Sequence, residues 1–209
     1  MSFRRDSYHH GNLREALVEA ALRLITERGL AGFAFAELAR AAGVSPAAPY
    51  RHFRDRGALV AELARRGFER LAADLAEAWN GGKPDAVVAI ERCGRAQLAF
   101  ARRDPASYAA MFDGAPDQAE PALKAAADAA FAVVRRAADA ACAAAPAAGR
   151  PPALMVALHV WALCHGIASL FVGPASPARR PLPMSAEDLL EAGLLVYLRS
   201  LGLGDITSP

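Results

Sequence analysis

The sequence predicts an all-α protein of about nine helices. Apolar residues recur at helical spacing along the chain, and alternating runs of β-branched residues with the length of a strand are nearly absent. Alanine, the strongest helix former, is the dominant residue type. With 209 residues, of which 54% are hydrophobic and 22% charged, the chain has the composition of a globular protein with a sizeable core. Disorder of the whole chain is therefore excluded.

The predicted helices are separated by residues that typically start or stop a helix. Asn12 is placed to cap the first helix, and Gly29 ends it. Gly43 forms the turn after the second helix, and Ser45 followed by Pro46 is a strong start signal for the third. In chain order, the nine predicted helices cover approximately residues 12–28, 36–42, 46–53, 55–79, 85–100, 104–112, 120–144, 153–172 and 186–201.

The later helices have similar boundary signals. Asp55, Asp85 and Asp104 are the expected N-caps of the fourth, fifth and sixth helices. Ser185 and Asp188 have the spacing of a capping box at the start of the last one. Two loops that contain proline separate the last three helices. The second of these loops carries Pro174, Pro177, Pro181 and Pro183.

Charge is distributed unevenly along the chain. Residues 1–70 carry 12 arginines against 8 acidic residues, a net charge of +4, although the whole chain has a net charge of only +2. A local excess of arginine is typical of a segment that binds nucleic acid. The sequence thus indicates a basic N-terminal segment attached to a slightly acidic body.

The cysteines and the N-terminal residues indicate the compartment. Cys93, Cys142 and Cys164 are odd in number, far apart in sequence and free of metal-ligand spacing, which favours buried thiols in a reducing environment. Residues 1–12 are polar and lack the apolar core of a signal peptide. We therefore expect a cytoplasmic protein.

One segment has the length of a membrane span. Residues 153–173 contain no Asp, Glu, Lys or Arg. His159, His165, Gly166 and Ser169 are poor residues for contact with lipid. We interpret the segment as a helix that its own domain covers on one side and a second subunit covers on the other.

The region around residue 45 has the layout of a helix-turn-helix. Two short helices are joined by a tight turn, and the second begins at a proline and carries aromatic and basic residues. A helix of this length fits the major groove of B-DNA. Ala47 and Ala48 are small enough for the backbone to approach base edges, and Arg51 is suited to a bidentate contact with guanine. The candidate phosphate contacts are Ser45, Tyr50, His52 and Arg56.

The same region resembles the signature of TetR-family transcriptional regulators. The match includes residues 38–53, LARAAGVSPAAPYRHF, and the opening residues 8–29, and it extends over roughly residues 8–65. The resemblance implies a DNA-binding domain over residues 1–55, a connecting fourth helix over 56–79 and a dimerising, effector-binding body over 80–209. It also implies that residues 46–52 form the recognition helix. The implied core supports of that helix are Leu38, Val44, Phe53 and Leu59.

Three positions depart from the usual pattern of the family. Ala34 stands where Ser or Thr usually caps the second helix and touches a phosphate, so this contact is lost or supplied by another residue. Arg56 replaces the usual lysine and keeps its charge. Pro49 lies at the fourth position of the predicted recognition helix, where we expect at most a modest disturbance.

The C-terminal body resembles one subfamily of TetR C-terminal domains, through Trp161 and the His165-Gly166 pair. That resemblance implies a two-fold dimer and a ligand pocket. The alternative is that aromatic residues at this spacing fill the core and that His165 hydrogen-bonds a carbonyl group. The candidate effector-binding residues are Phe100, Tyr108, Met111, Phe112, Trp161 and His165.

The resemblance implies a dimeric repressor that binds a palindromic operator in double-stranded DNA and is released by a small, apolar or aromatic effector, and this is the function that we predict. One alternative is a ligand-independent or architectural DNA-binding protein whose body only dimerises. A second is an enzyme that uses Cys164, His165 or His159. Adjacent residues on a helix point about 100° apart, and no catalytic motif is present, so we predict no catalytic, cofactor or metal site.

Overall fold

The computed structural model describes residues 13–114, 120–147, 149–172 and 182–203, and these residues form helices and no strands. The all-α prediction is confirmed. The expected N-cap Asn12 and the loop residues Pro174, Pro177 and Pro181 lie outside the described residues. Helices α1 to α8 span Leu13–Arg28, Phe35–Ala41, Arg56–Trp79, Ala86–Arg103, Pro105–Phe112, Pro121–Ala144, Ala153–Phe171 and Ala186–Ser200. Two 3₁₀ helices span Pro49–Arg51 and Asn80–Gly82.

The predicted α-helix over residues 46–53 is wrong. The described chain has eight α-helices rather than nine, and a 3₁₀ helix over Pro49–Arg51 takes the place of the third. Pro49 has no amide hydrogen, so it cannot donate to the carbonyl of Ser45 as an α-helix requires. Instead Ala48 donates to Ser45 at 2.9 Å and His52 donates to Pro49 at 3.0 Å, both in the tighter three-residue pattern.

The predicted N-caps of the later helices are confirmed. The side chains of Asp55, Asp85 and Asp104 accept backbone amides in the first turns of α3, α4 and α5 at 2.8 to 3.1 Å. At the start of α8, Ser185 Oγ accepts the amide of Asp188 at 3.0 Å, and the carboxylate of Asp188 accepts the amide of Ser185 at 3.4 Å. These contacts satisfy amides that a helix start otherwise leaves without a partner.

Helix α3 is the centre of the fold. It packs most extensively against α6, and it also contacts α1, α4 and α5. Helices α7 and α8 pack against each other and against α4, and α7 also packs against α6. The buried residues of the N-terminal helices and of the C-terminal body belong to one continuous hydrophobic cluster. Since α1 contacts both α3 and α5, these two helices couple the N-terminal helices to the body.

The three cysteines are buried and unpaired, as predicted. Burial raises the pKa of Cys93 to about 11 and the pKa of Cys164 to about 12, because the thiolate would lose its hydration. These thiols are packing groups in the helical core.

Within the part of the chain that the structure describes, α7 is the one helix long and apolar enough to cross a membrane. Its Val156, Val160 and Ile167 are buried against the body. The opposite side exposes Leu158, which is 52% accessible, together with Leu154 and Met155. Helix α7 therefore has one covered face and one uncovered apolar face.

Candidate nucleic-acid interface and ligand site

A left-handed glycine turn follows α2. Gly43 has a φ of +68°, a conformation that residues with a Cβ atom adopt only at a cost. The Gly43 amide donates to the carbonyl of Arg40 at 3.1 Å, and the Val44 amide donates to Ala39 at 2.9 Å. These bonds close the end of α2 and direct the chain into residues 45–53, which we call the recognition segment.

The outer side of the recognition segment carries polar and basic side chains. Tyr50, Arg51 and His52 are exposed, and so are Ser45 and Ala47. The Tyr50 ring is 61% accessible. Its edge lies against Phe35, with the ring centroids 4.9 Å apart. The buried Phe35 ring thus holds Tyr50 at the surface, next to the exposed guanidinium of Arg51.

The inner side of the recognition segment is packed against the core. Phe53, Leu38 and Leu59 are buried, and Val44 is half-buried, in agreement with their predicted role as supports. Ala48 is buried as well, although it was predicted to face base edges together with Ala47. A 3₁₀ turn has three residues per turn instead of 3.6, which changes the side on which each residue lies.

The start of α2 has no side-chain cap, because Ala34 stands at the N-cap. The carboxylate of Glu37 accepts the Ala34 amide at 3.1 Å, and Arg28 donates to the same carboxylate at 2.9 Å. The amide of Ala34 is the main cause of a lowered Glu37 pKa, and Arg28 adds to it. Glu37 thus satisfies one amide at this helix start.

Arg56 faces the loop between α1 and α2. Its guanidinium donates to the carbonyl of Leu30 and lies over the ring of Phe33, 5.1 Å from the centroid. The Nε atom is buried and has no partner among the described residues. In this structure the Arg56 guanidinium binds the loop between α1 and α2 through Leu30 and Phe33. Its contact with a DNA phosphate remains a prediction.

A buried ion cluster joins α1 to α3. Glu62 is 7% exposed and accepts hydrogen bonds from Arg14 at 2.7 Å, from Arg65 at 2.9 Å and from Arg66 at 2.7 Å. Arg66 also pairs with Glu15. Burial on its own would raise the pKa of Glu62, but the three guanidinium groups outweigh it and hold the pKa at about 2. This cluster fixes the first helix of the basic N-terminal segment to the central helix.

Four of the six predicted effector-binding residues meet in an aromatic cluster between α5 and α7. The hydroxyl of Tyr108 lies 3.0 Å from Nδ1 of His165. The ring of Phe112 lies 4.4 Å from that of His165 and 6.2 Å from that of Trp161, centroid to centroid. Burial raises the pKa of Tyr108 and lowers that of His165, which favours the uncharged form of both.

The other two predicted residues lie apart from this cluster. Phe100 is fully buried on α4, and no ring contact among the described residues joins it to the cluster. Met111 packs against Gly67 of α3. Sequence reasoning missed Gln97, which is 1% exposed and whose Nε2 has no partner among the described residues. A glutamine at a buried position of α4 was the available signal.

A cavity of about 700 Å³ lies on the other side of α5, between the end of α1 and the end of α7. Its walls include Leu30 from α1's C-terminal loop, Ala109 and Asp113 from α5 and its cap, and Phe171 from α7. Tyr108 also lines it, and it alone of the six predicted effector-binding residues does so. A space that could hold a ligand thus lies between the N-terminal helices and the body, and Tyr108 is the residue that it shares with the aromatic cluster.

The described residues contain no group of three or more His, Cys, Asp or Glu that could hold a metal ion. Cys164 is 1% exposed, and burial raises its pKa to about 12, so it is not an accessible thiolate nucleophile next to His165.

Two family models match this chain. The model described as bacterial regulatory proteins of the tetR family matches residues 17–63, and the model described as a tetracyclin repressor-like C-terminal domain matches residues 90–196. The first match includes α2, the glycine turn and the recognition segment, and the second includes the aromatic cluster. A comparison with curated proteins found no match.

Several solved structures are similar over nearly the whole chain. A protein of unknown function from Rhodococcus sp. RHA1 is 32% identical, with 93% of this chain and 98% of that chain covered and a TM-score of 0.74. The TetR-family transcriptional regulator PfmR from Thermus thermophilus is 22% identical over 88% of this chain and 97% of its own, with a TM-score of 0.62. AibR, solved with isovaleryl coenzyme A and operator DNA, is 17% identical over 88% of this chain and 97% of its own, with a TM-score of 0.67. Together with the two family models and the helix-turn segment built above, these matches show that the chain belongs to the TetR family of transcriptional regulators.

Proposed function

We propose that the protein is a homodimeric repressor that binds a palindromic operator and releases it when a small molecule binds. The observation that carries the proposal is the recognition segment, which holds Tyr50, Arg51 and His52 on its outer side while Phe53 anchors its inner side. The family membership supports DNA as the partner. Because that partner is chromosomal DNA, we place the protein in the cytoplasm.

The proposed DNA contacts divide into two kinds. Arg51 reads a guanine in the major groove, where its planar guanidinium matches the O6 and N7 acceptors. Ser45, Tyr50 and His52 bind phosphates and set the register of the segment on the duplex. Ala47 leaves room for the backbone to approach the bases. In the proposed domain organisation, residues 1–55 bind DNA, α3 connects, and residues 80–209 dimerise and bind the effector.

The proposed dimer uses the uncovered faces of α7 and α8. Leu154, Met155 and Leu158 lie exposed on α7, and Val196 on α8 is 70% accessible. Apolar groups of this size are stabilised when a second copy covers them. A two-fold dimer presents two recognition segments about 34 to 36 Å apart, or a multiple of that distance, and so reads a palindrome.

The proposed effector acts on the body. Ligand binding by a family neighbour supports this part, since AibR was solved with isovaleryl coenzyme A. A ligand that prefers one spacing of the two recognition segments by about 1 to 3 kcal/mol shifts the protein away from its operator. Tyr108 lines the cavity and also belongs to the aromatic cluster with Phe112, Trp161 and His165, so a ligand in the cavity would change the packing of α5 against α7.

Selection of bound sequences from a randomised duplex library tests the proposal. We expect the purified protein to enrich one palindrome, and the Arg51→Ala variant to lose the base preference at one position of each half-site. The variant Arg136→Ala, on the exposed surface of α6, is the matched control and keeps the preference. Failure to enrich any sequence, with weak binding that falls steeply as salt rises, would instead support the ligand-independent, architectural alternative.

A further inference from the structure

The recognition segment lacks the regular hydrogen bonds of an α-helix. The amides of Ala48 and Arg51 donate to carbonyl groups three residues back, at 2.9 and 3.2 Å. The amides of His52 and Phe53 share the carbonyl of Pro49, at 3.0 and 2.9 Å. Bonds to the third residue back have poorer geometry than those of an α-helix. A short segment bonded in this way depends on side chains outside it to keep one orientation.

Arg14 of α1 lies over the end of the recognition segment. Its guanidinium carbon is 5.2 Å from the centroid of the Phe53 ring. At this distance the face of an aromatic ring attracts a cation. Phe53 is buried and belongs to the same hydrophobic cluster as Leu17 of α1 and Leu59 of α3. Arg14 therefore contacts the residue that anchors the segment to the core.

Glu62 of α3 holds Arg14 in this place. Nη1 of Arg14 donates to Oε1 of Glu62 at 2.7 Å. Arg65 and Arg66 bind the same carboxylate from its own helix, at 2.9 and 2.7 Å. Because these two contacts come from α3 itself, the carboxylate of Glu62 keeps its place with or without Arg14. Arg14 thus connects a fixed carboxylate on α3 to the ring that anchors the recognition segment.

Arg65 provides a comparison within the same ion cluster. It binds Glu62, as Arg14 does, and its second partner is Glu69 one turn further along α3. The pairs of Arg65 therefore lie within a single helix, whereas Arg14 connects α1, α3 and the recognition segment. Of these two arginines, only Arg14 lies over Phe53. Replacing each in turn separates the strength of the ion cluster from the support of the segment.

We propose that Arg14 is a positioning residue for DNA recognition. Held by Glu62, its guanidinium rests on the Phe53 ring and fixes the recognition segment in the orientation from which Arg51 reaches a base. Arg14 acts through Phe53 and makes no base contact of its own. The effect on DNA binding rests on the proposed function, whereas the effect on the recognition segment does not.

Amide hydrogen exchange of the full chain without DNA tests the effect on the segment. The measurement compares peptides from residues 45–53 with peptides from α6. Arg14→Gln removes the cation, Arg14→Lys keeps one, and Phe53→Leu keeps an apolar anchor without a ring face. Arg65→Gln is the matched control, because it takes one guanidinium from Glu62 and leaves the contact with Phe53 in place.

We expect Arg14→Gln to raise the exchange rate in residues 45–53, relative to α6, about two- to fivefold, as the loss of a half-exposed cation–π contact allows. Arg14→Lys should restore most of the protection, and Arg65→Gln should keep the wild-type ratio. In a Phe53→Leu background Arg14→Gln should have no further effect, because the ring contact is already lost. An unchanged ratio in Arg14→Gln, or an equal rise in Arg65→Gln, would overturn the proposal.

The affinities for the selected palindrome and for a scrambled duplex test the effect on DNA binding. Arg14→Gln should weaken binding of the palindrome about two- to fivefold and that of the scrambled duplex little, with the same salt dependence. An unchanged affinity for the palindrome would overturn the proposal. Equal weakening on both duplexes with a shallower salt dependence would also overturn it, because Arg14 would then bind a phosphate. If the wild type selects no palindrome, the proposed function fails, and the exchange ratio still decides whether Arg14 supports the segment.

Discussion

Replacing Glu62 by glutamine removes the carboxylate that holds α1 on α3. Burial disfavours the charge of Glu62, yet the bonds from Arg65, Arg14 and Arg66 hold its pKa at about 2, against an ordinary value of 4.5. One pKa unit corresponds to about 1.4 kcal/mol, so the ionised carboxylate contributes roughly 3 to 4 kcal/mol to the free energy of unfolding at pH 7. We expect the Glu62→Gln variant to have a free energy of unfolding lower than that of the wild type by about this amount.

The assay is urea denaturation followed by far-ultraviolet circular dichroism. Glu69→Gln is the matched control, because Glu69 lies on the same helix, pairs with the same Arg65 and is 54% exposed. An exposed pair contributes about 0 to 1 kcal/mol, so this control should be nearly as stable as the wild type.

The pH dependence gives a second test of the same cluster. Because the pKa of Glu62 is lowered on folding, its contribution is present above pH 4.5 and is lost as the pH falls towards 2. The difference in unfolding free energy between the wild type and Glu62→Gln should shrink over that interval. A difference that equals that of the Glu69→Gln control, or that does not change with pH, would refute the reasoning.

Three further predictions concern stability, assembly and thiol reactivity. Gly43→Ala should lower the free energy of unfolding by roughly 1 to 2 kcal/mol in urea denaturation, since Gly43 has a φ of +68°. An unchanged free energy of unfolding would show that residue 43 does not need this left-handed conformation. If the protein is the proposed dimer, Leu158→Glu should be a monomer in light scattering after size-exclusion chromatography, whereas the wild type and Arg136→Glu should be dimers; a dimeric Leu158→Glu would place the interface elsewhere. With pKa values raised to about 11 and 12, Cys93 and Cys164 should fail to react with a thiol reagent at pH 8 until urea is added, and rapid labelling of the native protein would show that they are accessible.

Local signals were sufficient for most of the secondary structure. The caps Asp55, Asp85 and Asp104 act on amides two or three residues ahead, so the sequence around each helix start contains the whole interaction. The recognition segment differs, because the cost of one missing amide at Pro49 depends on how the rest of a very short helix is bonded. In this chain the loss was enough to replace the α-helix by a 3₁₀ helix.

Contacts between distant residues were less predictable. Arg14 and Glu62 lie 48 residues apart, and nothing in the local pattern of either residue indicates the pair. Four of the six residues predicted to bind the effector lie together in the fold, and the contact between Tyr108 and His165 is one example. The cavity was missed because α1, α5 and α7 meet there only in the folded chain.

The measurement that tests the central claim most directly compares the affinity of the protein for its selected palindrome with that for a scrambled duplex. Both affinities are measured by fluorescence anisotropy at two salt concentrations, for the wild type and for Arg51→Ala. We expect Arg51→Ala to weaken the binding free energy for the palindrome by about 1 to 3 kcal/mol and to change that for the scrambled duplex little. The dependence of both affinities on salt should stay the same. An equal loss on both duplexes with a shallower salt dependence would show that Arg51 binds phosphate and would contradict base reading by this segment.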